Sequence, residues 1–188
     1  MNEQLQKNLN ALGKNNQGKY KALREQAIIS GVQFYKAIKQ VEEWKLTITD
    51  EQRKALKWLL GDMLDLVPLN YKHAYLIKNL GDPDTLETLN LRQFNFFQDL
   101  MSKIEVRGRE NAIQLYDSVH TFEGVMQDVS ILQKQQQEAA KIFGVHNTEY
   151  AKFCNDKHIM PEDLDAIVEE MVNGKAETDS ETEPKSEK

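Results

Sequence analysis

Along almost the whole chain apolar residues recur at spacings of three and four, the period that places them on one face of an α-helix. The only alternating stretch, Leu46-Thr47-Ile48-Thr49, is too short for a sheet. The pattern therefore predicts an all-α fold: a mostly antiparallel helical bundle with one long heptad-patterned helix, a small C-terminal helical hairpin and a disordered acidic tail.

Residues 1–18 carry a short amphipathic segment (Leu5, Leu9, Leu12) followed by Gly13-Lys14-Asn15-Asn16-Gln17-Gly18, whose glycines and amides disfavour helix. They are expected to form a mobile basic arm. From about Lys19 to Trp44 the series Tyr20, Ala27, Gly31, Phe34, Ile38, Val41 makes one apolar seam, which Arg24 interrupts at its N-terminal end. Thr49 followed by Gln52 has capping-box spacing and opens a second helix, with Leu56, Leu59, Leu60, Met63 and Val67 inward until Pro68 stops it. A third helix runs from about Leu69 or Asn70 to Leu80, and Asp82-Pro83-Asp84-Thr85 then forms a turn. A fourth, between Thr85 and Glu105, presents Phe94, Phe97, Met101 and Ile104 on one face.

The longest regular pattern runs from Arg109 to Phe143. Ala112, Leu115, Val119, Phe122, Met126, Val129, Gln133, Gln136, Ala140 and Phe143 alternate three and four apart, a heptad seam that would span roughly 50 Å as one helix. Gly124 would permit a bend and Gly144 would close it. Asn147 or Thr148 then caps a short helix with Tyr150, Phe153 and Cys154, and Pro161 opens a last one with Leu164, Ile167, Val168 and Met171. The expected organisation is an arm at 1–18, a bundle at 19–145, an acidic hairpin at 146–173 and a tail at 174–188.

Charge adds a gradient to this picture. The net charge is −6, but residues 1–60 carry +5, residues 61–160 carry −4 and residues 161–188 carry −7. No apolar run approaches the 18 or so residues that a bilayer span requires. Cys154 is the single cysteine and the first residues lack the apolar core of a secretory signal, so a reducing, cytoplasmic setting with no membrane is expected.

Candidate chemistry is sparse. Neither a nucleophile elbow nor a phosphate-cradling glycine loop occurs, so no catalytic residue and no cofactor is assigned. Asp117-x-x-His120-x-x-Glu123 offers three ligand types on one helix. It lacks the second half of a carboxylate-histidine metal site and falls on the flank of the seam, so it reads as solvated surface and no metal site is assigned. Phosphate or nucleic-acid contacts are assigned to Lys14, Lys19, Lys21 and Arg24 near the N-terminus and to Arg107 and Arg109 beside a helix start. Phe96 lies about 100° from Phe97 and must meet a second helix layer, a partner or water. With Phe122, Met126, Val129 and Gln133 it makes the candidate protein interface, and the long seam suggests a homodimer. The expected function is a non-enzymatic adaptor, assembly factor or regulator that docks another protein. The alternative is an accessory protein for single-stranded nucleic acid or RNA, with the acidic tail contacting proteins or acting as an autoinhibitor.

Overall fold

The computed structural model describes residues 3–64, 67 and 69–179. In chain order the elements are α1 (Glu3–Ala11), α2 (Lys14–Glu43), β1 (Lys45–Thr47), α3 (Asp50–Gly61), α4 (Tyr71–Leu80), β2 (Thr88–Asn90), α5 (Leu91–Lys103), α6 (Arg109–His120), α7 (Glu123–Asp156) and α8 (Leu164–Asp179). The fold is all-α, with one small two-stranded sheet among the described residues. No described helix is long and apolar enough to cross a membrane.

The chain separates into two compact units, residues 1–40 with 134–188 and residues 41–133. These boundaries differ from those read off composition, because the first eighteen residues and the segment 146–173 belong to the same unit.

In the first unit, α1 is not a mobile arm. Leu12 and Asn8 are buried, Leu5 and Leu9 pack on the core, and α2 already begins at Lys14. The amides that argued against helix have a local use. Gln17 Nε2 donates to the carbonyls of Leu9 (2.7 Å) and Leu12 (3.1 Å), satisfying acceptors at the C-terminus of α1. Phe34 stacks on Phe143, and Tyr20 meets Tyr150 at a tilt with ring centroids 5.8 Å apart, so α2 and α7 run antiparallel. Arg24 meets Glu162 and Lys39 meets Asn173, so α8 follows α2 in the same direction. Gly31 is the close point. A Cβ there would lie 2.7 Å from Val168 Cγ2 and 3.0 Å from Phe143, so the glycine admits helices that any side chain would push apart.

The expected long helix starts at Arg109 but differs in its middle and at its C-terminal end. It breaks at Thr121 and Phe122 rather than bending at Gly124, and α7 runs straight through Gly144 to Asp156. Thr148 does not cap anything; its hydroxyl donates back to the Gly144 carbonyl at 2.7 Å inside the helix. The true end is a Schellman turn. His158 takes a left-handed conformation (φ 54°), its N–H donates to the Asn155 carbonyl, and the N–H of Ile159 donates to that of Cys154. The next helix starts at Leu164 rather than at Pro161, because Asp163 accepts from the Ala166 N–H as its N-cap. The backbone of 174–179 continues α8, and residues 180–188 of the expected tail lie outside the described residues.

The second unit is built around aromatic rings. Trp44 packs on Phe94 and Phe94 on Phe122, with centroids 5.5 and 6.1 Å apart. Leu46 lies in a strand after all: β1 pairs antiparallel with β2, Leu46 opposite Leu89. Thr49 and Gln52 form the expected reciprocal capping box, and Asn90 with Gln93 forms another at the start of α5. The α3 helix ends at Gly61, earlier than expected, and Pro68 lies outside the described residues. Arg53 donates to the carbonyls of Pro83 and Asp84, pinning the turn that Asp82 begins.

Candidate functional site

The most elaborate chemistry in the chain sits in the core of the first unit. The tight turn between α7 and α8, fixed by the Schellman geometry on one side and the Asp163 cap on the other, turns Glu162 inward until its side chain is fully buried. The Glu162 carboxylate accepts from Arg24 Nε at 2.7 Å and Nη2 at 3.0 Å, a bidentate pair, and from the Tyr20 hydroxyl at 2.7 Å. Because the one proton of Tyr20 goes to Glu162, the Tyr150 hydroxyl, 3.3 Å away, must be the donor to Tyr20. Tyr150 in turn accepts from the backbone N–H of Glu162 at 3.0 Å. Asn8 joins from α1, donating to Tyr20 at 2.9 Å and to the Met160 carbonyl at 2.8 Å.

This cluster ties α1, α2 and α7 to the turn that leads into α8, and it is closed. Tyr20, Tyr150 and Cys154 are buried, and no substrate reaches them without the fold opening. Burial, and then the bond it donates to Tyr20, pushes the Tyr150 phenol well above its ordinary range. Burial likewise raises the Tyr20 phenol and the Cys154 thiol, which makes Cys154 a poor nucleophile.

Arg24 therefore leaves the expected phosphate-binding set: its guanidinium is held by a buried carboxylate. The interruption it makes in the apolar seam was the signal of that partner. Lys14 and Lys21, seven residues apart on α2, are exposed on one face. Lys19 is on another, with its ammonium 5.7 Å from the Phe153 ring. In the second unit Arg107 and Arg109 are exposed on either side of Gly108, which precedes α6 at φ 90° with no side-chain cap.

Three of the five candidate interface residues are corrected to core. Phe96 is buried between Phe97 and His73 of α4, both with centroids at 5.5 Å, so the second helix layer claims it. Phe122 and Val129 are buried in the core of the second unit, and Met126 packs partly against it. Only Gln133 remains partly exposed outside that core. The inner seam has thus found its partners within the chain, which removes the reason to pair two copies through it.

A surface feature that the sequence reading missed lies on the first unit. Leu5 of α1, Ile28 and Ile29 of α2, and Ile167 and Met171 of α8 wall a groove of about 500 Å³. Ile29 and Met171 are 52% and 49% exposed there. Lys21, Arg24 and Glu25 line the same groove as its polar edge. The signal was present in the doubled Ile28-Ile29, since adjacent helical positions are 100° apart and Ile29 falls beyond the edge of the stripe that Ala27 and Ile28 bury. The Asp117, His120 and Glu123 set is on the surface, His120 Nδ1 lying 2.9 Å from Glu123 Oε2. No group of three or more His, Cys, Asp or Glu residues among the described ones could hold a metal ion. In sequence the chain matches no protein-family model and no curated protein, and in fold no solved structure matches it.

Proposed function

We propose that the protein is a non-enzymatic interaction module, an adaptor, assembly factor or regulator that docks another protein through helical surfaces. The observation that carries this reading is the apolar groove between α1, α2 and α8, where two large side chains stand half in water within a rim of charge. A wall of three helices suits an amphipathic helix, whose residues at one-turn spacing would cover Ile29 and Met171. Lys21 and Glu25, one turn apart on the rim and opposite in sign, would favour a partner helix carrying the reverse order of charges.

The test is photo-crosslinking from positions 29 and 171, with position 152 on the exposed side of α7 as control. A single polypeptide captured at both groove positions, whose isolated helix then binds the purified protein and fails to bind Ile29→Asp, is the expected result. Equal labelling at all three positions would sink the reading.

A second reading, single-stranded nucleic acid or RNA, is favoured by one observation: the uncapped start of α6 between two exposed arginines. Anisotropy of labelled oligonucleotides should then fall log-linearly with salt, and Arg107→Ala with Arg109→Ala should flatten the slope. No binding at low salt removes this reading.

A further inference from the structure

The outer face of α6, continued by the first residue of α7, carries a second seam. Arg109, Ile113, Tyr116, His120 and Glu123 follow one another at spacings of four, three, four and three, one register out from the seam that packs into the core. All are exposed: Ile113 is 50% and Tyr116 68% open to solvent. They form a continuous strip, for the His120 ring stacks on Tyr116 at 5.8 Å and 8°, and Glu123 reaches His120 at 2.9 Å. Arg109 makes no ion pair or side-chain hydrogen bond among the described residues.

The strip is symmetric in sequence about Tyr116. Arg109 lies seven residues before Tyr116 on α6, and Glu123, which opens α7 seven residues after it, is held to the strip by His120, so the two ends are opposite in charge. We infer that this face pairs with the same face of a second copy of the chain, the two α6 helices antiparallel across a two-fold axis at Tyr116. That arrangement sets Arg109 against the partner's Glu123 twice, brings Ile113 to the stacked rings of the other copy, and covers both tyrosines. A parallel pairing would oppose arginine to arginine and glutamate to glutamate. Charge complementarity thus selects both the occupant and its direction. From Arg109 to His120 α6 rises only about 17 Å, so the contact is small and the association correspondingly weak, in the range of tens to hundreds of micromolar. This inference is independent of the groove on the first unit.

Sedimentation velocity on the full chain from about 10 µM to about 1 mM at low salt reads the association directly. The expected result is a monomer that becomes a dimer within that range. Arg109→Glu and Glu123→Arg should each weaken self-association roughly tenfold or more by opposing like charges. An equimolar mixture of these two variants should associate again, since every cross-contact in the mixed pair is attractive. Tyr116→Asp should abolish the dimer. Each variant changes an exposed side chain, and far-UV circular dichroism with a thermal melt confirms that it folds. A wild-type chain that stays monomeric to 1 mM overturns the inference, as does a dimer indifferent to these substitutions or two single variants that fail to complement. None of those outcomes touches the groove reading, which stands or falls on the crosslinks.

Discussion

The two units solve the same problem, holding helices together, with opposite materials. The core of residues 41–133 is almost wholly apolar and rich in rings: Trp58, Phe94, Phe96, Phe97 and Phe122 are buried there with leucines and methionines, and the buried polar residues are Gln52 and Ser118. The core of the other unit is smaller, and its centre is a carboxylate, a guanidinium, two phenols and an amide. An apolar core is held by area and volume and tolerates exchange among side chains of similar size. A buried ion pair contributes little net stability while intact, yet removing one partner strands the other without water. Apart from the close point at Gly31, the first unit should therefore respond most to changes in hydrogen-bonding chemistry, and the second to changes in volume.

The largest effect expected from breaking this contrast is at Glu162. Glu162→Ala leaves the Arg24 guanidinium partly buried without its anion and Tyr20 without its acceptor, and should cost about 3–5 kcal/mol in urea denaturation. Leu100→Met in the other core, which keeps both chemistry and volume, should cost about 1.5 kcal/mol or less. Equal costs would show that the polar cluster is not what holds its unit.

Alkaline pH separates the units next. Tyr20 and Tyr150 have phenols raised above the value near 10 that they recover on unfolding, so above that pH the unfolded chain sheds protons that the folded one retains. Stability from these groups is complete below about pH 10 and falls as pH rises, by up to about 1.4 kcal/mol per pH unit for each tyrosine. Chemical denaturation between pH 9 and 11 should show this slope, and Tyr150→Phe should reduce it, with Tyr20, Tyr35 and Cys154 carrying the remainder. A slope unchanged by that substitution would place the titration elsewhere.

The smallest change tests the turn that delivers Glu162. His158 occupies a left-handed position where a side chain is strained, so His158→Gly should raise stability by roughly 1 kcal/mol or less. A loss instead would mean that the imidazole makes a contribution outweighing the strain.

Much of the fold was legible because it rests on local rules. The capping box at Thr49, the apolar faces of α3 and α5 and the seam through Tyr20, Ala27 and Gly31 follow from spacing alone. What was not legible depends on contacts between segments distant in sequence. Seen locally, Glu162 between Pro161 and Asp163 is an ordinary first-turn acid; only the arrival of Arg24 and Tyr20, more than 130 residues away, makes it a core residue. Gly144 has the composition of a helix end, but Phe143 on one side and Tyr150 and Phe153 on the other bury along one face, and that packing carries the helix through the glycine. The basic arm failed for the same reason, since its short helix is held by Asn8 bonding to Tyr20 and Met160. The groove and the outer strip of α6 are apolar stripes beyond the one each helix buries, and only Ile29 beside Ile28 and the exposed Ile113 mark them in the sequence.

The ring of hydrogen bonds through Glu162, Tyr150 and Tyr20 has a direction. It leaves from an amide that can only donate and returns to a carboxylate that only accepts, and both belong to one residue. A ring of hydroxyls or waters can circulate either way and carries the residual entropy of that choice. This one admits a single arrangement of its protons, so the bonds polarise one another in a fixed sense. The centre of the unit is ordered down to its hydrogens.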